Sequence, residues 1–282
     1  MTEAPHTVRR GELEILQIDN AACSAEISLF GGHVIHWQPS GHKPVLWMSE
    51  STPWDGKSAL RGGIPICWPW FGVVEGKGRH GLVRSRQWQL DAVLENTDVT
   101  ELQLSTELSP EENPWPHPNR IEMHLRLGRQ LEQTLSFFNQ GETPLCFSYA
   151  LHNYFFVSHP ENVRIPVLEK SLYDDKISGA SQQLDPGTQA YTGPIDRIYA
   201  NDQGAALIDS KFERTIRVEK TGSQHWVLWN PGSDAVNMAD VHAGGESQFL
   251  CFEAANITDI ILPPGHHLSV GQRISVEAGI NS

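Results

Sequence analysis

The sequence predicts an all-β chain folded as an antiparallel sandwich, because alternating runs, apolar runs of strand length and frequent turn residues occur together. In IEMHLRL, residues 121–127, apolar side chains fall on every second position, which is the pattern of a strand with one buried face. ELQLSTEL (101–108) and TIRVEK (215–220) repeat this pattern. Amphipathic helical patterns are hard to find, and 24 Gly and 18 Pro provide turns at strand-like spacing.

Three further runs are apolar at both parities and therefore predict interior strands covered on both faces. They are LCFSYALHNYFFV (145–157), WVLW (226–229) and FLCFE (249–253). Residues 109–120 and about 174–195 are rich in turn-forming and polar residues, so we expect long surface loops there. Since no linker or internal repeat interrupts the 282 residues, we expect a single domain spanning 1–282.

The charge balance excludes some partners. Lys and Arg total 21 against 34 Asp and Glu, a formal net charge of -13, so the surface repels nucleic acid and acidic membranes. An anionic ligand would need a local arginine cluster that works against this field. We expect a small-molecule ligand, no nucleic-acid or membrane partner, and a monomer.

The four cysteines indicate a reducing compartment. They are scattered without CxxC pairing, and two lie in apolar runs, so we expect buried free thiols; they are Cys23, Cys67, Cys146 and Cys251. The N-terminal residues have no signal-peptide core, and no apolar run approaches the roughly 18 residues of a membrane span. The expected location is the cytoplasm.

The stretch ALRGGIPICWPWFG, residues 59–72, predicts a shaped loop near a ligand. Its prolines disfavour a strand and its paired glycines disfavour a helix. Arg61 precedes these glycines, and GKGRHGLVRSR (76–86) adds the densest positive run of an acidic chain, with Lys77, Arg79, His80, Arg84 and Arg86. Arginine forks match phosphate oxygens, and glycines allow the backbone to approach a ligand closely, so an anion site is predicted. The alternative for the second stretch is a solvated hairpin.

Three further residues are candidates for acid–base chemistry or hydroxyl binding. His152 lies in the apolar run ALHNYFF, where strand alternation places it on one face with Tyr154, although such a histidine is often a satisfied core residue. Glu253 ends the apolar run FLCFE, and partial burial would raise its pKa toward the range useful to a general base. The alternative is that the strand ends there and Glu253 is solvated. Asp196 lies beside an arginine in PIDRIY, and its alternative is a surface ion pair.

Metal ligation is weakly supported, and we expect no metal. His33 and His36 in HVIH fall on opposite faces of a strand, and the pair His266 and His267 has no carboxylate at ligand spacing.

An ordered set of motifs resembles the hexose-6-phosphate mutarotases, or glucose-6-phosphate 1-epimerases, of the aldose-1-epimerase superfamily. The motifs are RGGIPICWPWFG, RHGLVR, ALHNYF, VLWNP and FLCFEAAN, and they span most of the chain. The resemblance implies a galactose mutarotase-like β-supersandwich, no cofactor, and interconversion of the α- and β-anomers of a hexose 6-phosphate, D-glucose 6-phosphate above all.

Carried over by motif, the resemblance implies roles for individual residues. His152 resembles the general acid and Glu253 the general base, Arg61 and Arg84 resemble substrate and phosphate contacts, and Asp196 resembles a sugar hydroxyl partner. Two departures occur: some relatives have glutamine where this chain has Arg79, which we include among the substrate contacts, and many have EPG where this chain has Glu253-Ala254-Ala255.

Two other functions remain open from the sequence. One is a mutarotase for unphosphorylated aldoses such as galactose, in which the arginines would be structural. The other is a non-catalytic sugar-phosphate binding protein. The sequence also predicts an aromatic wall for the sugar, but it does not decide among Trp68, Trp70 and Phe71, because Pro69 disrupts the strand parity.

Overall fold

The structure is a computed structural model that describes residues 5–112, 114–187 and 190–279. Residue 113 of the first predicted loop and residues 188 and 189 of the second lie outside the described residues. The strands are β1 (His6–Arg10), β2 (Leu13–Asp19), β3 (Cys23–Ser28), β4 (His33–Pro39), β5 (Ile66–Cys67), β6 (Val73–Val74), β7 (Gly78–Arg79), β8 (Gln89–Glu95), β9 (Thr100–Leu108), β10 (Asn119–Leu127), β11 (Gln130–Phe138), β12 (Leu145–Leu151), β13 (Tyr154–Phe156), β14 (Val163–Arg164), β15 (Leu172–Asp175), β16 (Gln183–Leu184), β17 (Ile195–Ala200), β18 (Ala205–Asp209), β19 (Arg214–Thr221), β20 (His225–Asn230), β21 (Phe249–Leu262) and β22 (His267–Ala278).

Helical structure in the described part of the chain is confined to five short 3₁₀ turns. They are Val83–Ser85, Pro160–Asn162, Pro166–Leu168, Gly232–Asn237 and Gly245–Ser247. The prediction of an all-β chain is confirmed. No helix in these ranges has the length and apolar character to cross a membrane.

Two eight-stranded antiparallel sheets form the sandwich. The site sheet runs β16-β15-β17-β20-β21-β12-β5, with β13 also paired to β21, and the second sheet runs β14-β18-β19-β22-β11-β10-β9-β8. A separate four-stranded sheet, β1-β2-β3-β4, contributes side chains to the same core. The large sheets meet through aromatic contacts such as Phe137 of β11 against Phe147 of β12, with ring centroids 4.9 Å apart. This shared core supports the prediction of one domain, which stays a prediction.

The alternating sequence runs form the second sheet. IEMHLRL lies in β10, where its apolar side chains are buried and the intervening ones are mostly half-buried, as predicted. ELQLSTEL lies in β9 and TIRVEK in β19. Burying one face of such a strand removes apolar area from water, which stabilises the fold by about 25 cal/mol per Å². Alternation is therefore a strong indicator of a strand and of its buried face.

The doubly apolar runs form the centre of the site sheet. Alternate residues of β20 and β21 point into the sandwich, and the others form what we call the site face, on which Trp229 is level with Cys251 and Val227 is level with Glu253. The segment 231–248 packs over one end of this face through Ala235 and Val241. The prediction of cover on both faces is therefore confirmed for WVLW and FLCFE, whereas the run 145–157 is exposed at Cys146.

Two expectations are wrong in part. Cys146 is exposed, although Cys23, Cys67 and Cys251 are buried, and all four are free thiols. Cys146 points to the opposite face from the inward Leu145 and Phe147 and is level with the exposed Ile261, so it lies where that face is uncovered. The predicted loop at 174–195 contains β16 and a buried Asp185, which accepts a hydrogen bond from the Tyr199 hydroxyl at 2.8 Å, so it is not wholly a surface loop.

Candidate active site

His152 and Glu253 face each other in a break of the ladder between β12, β13 and β21. Leu151 is paired with Ala254 before the break, and Tyr154 is paired with Cys251 after it. The register is therefore the same on both sides of the break, which places His152 opposite Glu253. The His152 Nε2 and Glu253 Oε1 atoms are 3.3 Å apart, and the side chains are 8% and 1% exposed. Because β21 continues to Leu262, the alternative of a solvated Glu253 at a strand end is wrong.

Burial shifts the pKa values of this pair in opposite directions. It raises the pKa of Glu253 well above its usual value, with a contribution from the negative charge of Asp196 and an opposing one from Arg84. Burial also lowers the pKa of His152, and the charges of His80, Arg61 and Arg84 act in the same direction. Burial thus disfavours the charged form of both groups, which suits a contacting pair that shares one proton and exchanges acid and base roles.

Each member of the pair also has a buried polar atom without a hydrogen-bond partner among the described residues. These atoms are His152 Nδ1 and Glu253 Oε2. Buried polar atoms in native structures are nearly always satisfied, so an orphaned carboxylate oxygen beside a histidine is typical of a site that a polar ligand completes.

Arg61 lies beside this pair and is held on two sides. Its Nη1 donates to the Tyr154 hydroxyl at 2.8 Å, and its Nε donates to Asp240 Oδ2 at 2.9 Å. The second contact is also an ion pair, with Nη2 2.8 Å from the same carboxylate oxygen. The guanidinium therefore has a fixed orientation, and its charge is matched by Asp240.

The run GKGRHGLVRSR forms the small β6–β7 hairpin and a 3₁₀ turn. Arg84 Nη2 donates to the Arg79 carbonyl at 2.9 Å, and the Arg84 charge acts on both His80 and Glu253. In the described ranges, neither arginine has a carboxylate within 4.0 Å. Arg86 instead forms an ion pair with Glu112, at 2.7 Å, and its charge is not a cause of either pKa shift in the pair. The alternative of a purely solvated hairpin therefore fails for Arg84, and Arg86 is a half-buried residue held by Glu112.

His80 is a member of the site that the sequence reasoning named only as part of the positive run, without a role of its own. It has a φ of 62°, and its Nδ1 accepts a hydrogen bond from the Gly72 N–H at 3.2 Å, which leaves the proton on Nε2. Its ring contacts that of His152 edge-on, with centroids 5.5 Å apart. Burial, with the nearby Arg84 charge, lowers the pKa of His80 to about 3, so it is a neutral hydrogen-bonding group at pH 7.

Asp196 lies on the site face of β17, two strands away from Glu253. It is level with Trp229, which is level with Cys251. Burial raises the pKa of Asp196, while the charges of Lys176 and Arg79 oppose that rise. The alternative of a simple surface ion pair with its neighbour Arg197 is wrong, because the Arg197 side chain is directed to Asp185, with Nη1 and Oδ2 3.5 Å apart.

The aromatic residues of the opening loop separate into different environments. Trp68 is fully buried in the sandwich, with its ring centroid 5.7 Å from that of Phe137, so it does not face the site. Phe71 contacts His80, with centroids 4.9 Å apart, and His80 in turn contacts His152. Trp229, which the sequence reasoning did not select, presents an edge-on contact to His152 at 6.2 Å.

Gly62 and Gly63 serve the protein's own packing. Gly62 has a φ of 123°, and a Cβ there would lie 2.3 Å from the Trp47 carbonyl oxygen. Gly63 has a φ of 62°, and a Cβ there would lie 2.4 Å from the Val34 carbonyl oxygen. These glycines are therefore required by the neighbouring segments of the protein itself, and the expectation that they let the backbone approach a ligand stays a prediction.

No group of three or more metal-ligating side chains occurs within the described ranges. His33 is buried, with Nε2 2.8 Å from the Gly62 carbonyl oxygen. It therefore supports the loop that carries Arg61.

A profile of the aldose 1-epimerase family matches residues 14–275. The chain belongs to this family. A curated protein of Escherichia coli K12 named "Putative glucose-6-phosphate 1-epimerase" is 34% identical over 252 residues, which are 86% of this chain and 83% of that protein. A Salmonella typhimurium protein of the same name is also 34% identical, over 88% of this chain and 84% of its own length.

Solved structures agree with the fold. A crystal structure described as a "putative mutarotase" from Salmonella typhimurium superposes with a TM-score of 0.91 at 29% identity, covering 99% of this chain and 95% of that one. The structure titled HI1317 superposes with a TM-score of 0.83 at 28% identity, over 98% of this chain and 97% of that one. The galactose mutarotase-like fold predicted from the sequence is confirmed.

In this aldose 1-epimerase family member, the six predicted residues fall into three groups. His152 and Glu253 are in contact, the charges of Arg61 and Arg84 act on His152, and Asp196 lies further along the site face, where the charge of the exposed hairpin residue Arg79 acts on it. Tyr154, His80, Trp229 and Asp240 complete the arrangement. Such a site can take a proton from one oxygen and give a proton to another, with cations at one side.

Proposed function

We propose that this protein catalyses interconversion of the α- and β-anomers of a hexose 6-phosphate, with D-glucose 6-phosphate as the expected substrate. The observation that carries the proposal is the buried His152–Glu253 contact at 3.3 Å, with Arg61 and Arg84 beside it. The names of the curated relatives agree with this choice of substrate.

Glu253 acts as the general base and His152 as the general acid. The carboxylate takes the proton of the anomeric hydroxyl while the imidazolium gives a proton to the ring oxygen, so the C1–O5 bond breaks and the aldehyde forms. Rotation about the C1–C2 bond turns the other face of the aldehyde toward O5. Closure then reverses both transfers: protonated Glu253 returns its proton to the carbonyl oxygen and neutral His152 takes that of the 5-hydroxyl. Each assisted transfer contributes about 10²–10⁴-fold.

The arginines bind the phosphate in this proposal. Arg61 is oriented by Tyr154 and Asp240, whereas Arg84 and Arg79 have no carboxylate within 4.0 Å in the described part of the chain. Arg84 and Arg79 therefore supply the unmatched positive charge that a phosphate dianion meets, in a chain whose net charge is -13. Asp196 and neutral His80 bind sugar hydroxyls.

A mutarotase for unphosphorylated aldoses is the second candidate, because Asp240 already matches the charge of Arg61. Exchange spectroscopy by NMR distinguishes the two, by following magnetisation transfer between the anomers of glucose 6-phosphate and of galactose, with and without protein. We expect acceleration for the phosphate and little for galactose, and Glu253→Gln as the matched control should remove it. Acceleration for galactose alone would establish the second candidate, and none for either would favour a binding protein.

We also propose a cytoplasmic monomer. Three buried free thiols suit a reducing compartment. Light scattering coupled to size exclusion tests the monomer, with 31.5 kDa as the expected mass.

A further inference from the structure

Three buried side-chain amides connect the active site to the second sheet. Asn153, which follows His152, exchanges two hydrogen bonds with Gln272 of β22: Gln272 Nε2 donates to Asn153 Oδ1 at 2.8 Å, and Asn153 Nδ2 donates to Gln272 Oε1 at 2.9 Å. Gln272 Nε2 also donates to Oε1 of Gln133 on β11 at 3.1 Å. Asn153 and Gln133 have no exposed surface, and Gln272 is 5% exposed.

The two glutamines occupy positions where the strand pattern calls for apolar side chains. Gln133 lies between Leu131 and Leu135 on the inward face of β11, and Gln272 lies opposite it on β22. A buried amide has to be satisfied to avoid a cost of about 1–3 kcal/mol, whereas replacing both partners by apolar groups is close to neutral. Stability alone therefore does not explain this network, but buried polar networks do specify one geometry.

Asn153 uses its side chain in place of its backbone in the ladder with β21. Its backbone N–H is turned away and donates to the Leu151 carbonyl at 3.0 Å. Its Nδ2 donates instead to the Phe252 carbonyl at 3.1 Å, while its own carbonyl accepts from the Phe252 N–H at 3.1 Å. Both backbone groups of Phe252 are thus satisfied by one residue at a point where regular strand geometry is interrupted.

This replacement of a backbone hydrogen bond by a side-chain hydrogen bond occurs next to both members of the acid–base pair. Asn153 is adjacent to His152 in sequence, and Phe252 is adjacent to Glu253. The Asn153–Phe252 contact therefore ties together the two peptide segments from which His152 and Glu253 project. A shift of about 1 Å in reacting groups can cost about 100-fold in rate.

We propose that Asn153 is a positioning residue: its amide, oriented by Gln272 and Gln133, holds the ladder break in which His152 faces Glu253. The role is distinct from binding, because the amide is fully buried and its donor and acceptor are taken up by Phe252 and Gln272. The inference rests on the proposed anomerase function, and it adds residues of the second sheet to the determinants of its rate.

The first test replaces Asn153 with Ala and measures kcat and KM for anomer exchange of glucose 6-phosphate. We expect kcat to fall by about 100-fold, with KM within about threefold, because the reacting groups move while the phosphate contacts remain. Asn139→Ala is the matched control. Asn139 is also buried, and its Nδ2 donates to two carbonyls, one of them Leu262 at the far end of β21, at 2.9 Å.

A purely structural role predicts a different result. If Asn153→Ala and Asn139→Ala lower the melting temperature alike and both keep kcat within about twofold of wild type, the positioning role is overturned. If Asn153→Ala does not fold, the double variant Gln133→Leu, Gln272→Leu decides the question. It replaces both glutamines by apolar residues and keeps Asn153, and an unchanged kcat in it would overturn the proposal, whereas a loss of about tenfold supports it.

A separate measurement keeps this proposal apart from the proposed function. If the wild-type protein accelerates no anomer exchange, the proposed function fails, and the positioning role is then read from the ¹⁵N imidazole signals of His152. Asn153→Ala should shift these signals relative to wild type and Asn139→Ala should not. Identical His152 signals in all three proteins would overturn the inference, whatever the activity.

Discussion

The side chains of His152 and Glu253 meet at 3.3 Å across a break in the β12–β13 ladder with β21, and both are buried. A second histidine–carboxylate contact, between His124 and Glu101, has nearly the same length, 3.2 Å, but lies at the surface of the second sheet. Similar geometry in different surroundings makes the second pair an internal control for the first.

Glu253→Gln and His152→Gln should each lower kcat for anomer exchange by about 10²–10⁴-fold, because each removes one proton-transfer group. Glu101→Gln should leave kcat unchanged, since its histidine contact is far from the site face. NMR exchange rates at saturating substrate measure all three. Wild-type turnover in either site variant would remove the acid–base assignment.

The pH dependence of kcat/KM should be bell-shaped, with limbs that belong to the pair rather than to either residue. The pair works with one shared proton. Burial lowers the pKa of His152, so the acid limb should lie below pH 6.5, where a second proton finally binds. Burial raises the pKa of Glu253, so the alkaline limb, where the shared proton is lost, should lie well above pH 4.5.

Two substitutions should move the alkaline limb in opposite directions. The Asp196 charge raises the pKa of Glu253 and the Arg84 charge lowers it. Asp196→Asn should therefore move the limb to lower pH, and Arg84→Met should move it to higher pH. Shifts of the same sign in both variants would contradict this account of the pair.

Arg84→Met should raise KM for glucose 6-phosphate by about 10- to 100-fold, the loss of one charge-assisted contact, and change KM for free glucose little. Arg86→Met is the matched control from the same segment, because Arg86 is paired with Glu112. Parallel kinetics on the two sugars provide the measurement. Equal effects on both sugars would make Arg84 structural.

Asp240→Asn should lower KM for the phosphorylated sugar by about three- to tenfold. The carboxylate matches the Arg61 charge at a partly exposed site, 31% for Asp240, so its removal gives the phosphate a net positive partner. KM for the phosphorylated sugar, measured at low and high salt, should depend on salt more steeply in the variant than in the wild type. A higher KM in the variant would mean that Asp240 is needed chiefly to orient Arg61.

His33→Gln should reduce the sensitivity of the fold to acid. Burial lowers the pKa of His33 to about 4, whereas the unfolded chain takes up this proton near pH 6.5. Stability is therefore fully present above pH 6.5 and is lost as pH falls toward 4, by about 3 kcal/mol from this group. Urea unfolding at pH 7 and pH 4.5 measures the difference, and Gln can still donate to the Gly62 carbonyl. An equal loss in wild type and variant would contradict the assignment.

Much of the fold follows from the sequence, because strand alternation and apolar runs record burial directly. The run FLCFE predicted the first part of β21 and placed Glu253 on one strand face with Phe249 and Cys251. Cys146 was misplaced because an apolar run does not show which part of a sheet face is left uncovered, and Cys146 lies level with the exposed Ile261.

The site was only partly predictable, because some of its members depend on contacts distant in sequence. Arg61 meets Asp240, 179 residues later, and no motif around Asp240 marks that contact. His80 reaches His152 through a backbone conformation with positive φ, which is uncommon among non-glycine residues and which the sequence RHG does not predict.

Gly62 and Gly63 limit the substitutions that this protein can accept. Their backbone is pressed against the carbonyls of Trp47 and Val34, so no larger residue fits at either position without moving those segments. The Arg61 side chain, by contrast, leaves this backbone and makes only side-chain contacts with Tyr154 and Asp240. Descendants of this sequence can therefore change ligand preference by exchanging that one side chain, and we expect a library randomised at 61 and 240 to yield far more folded proteins than one randomised at 62 and 63.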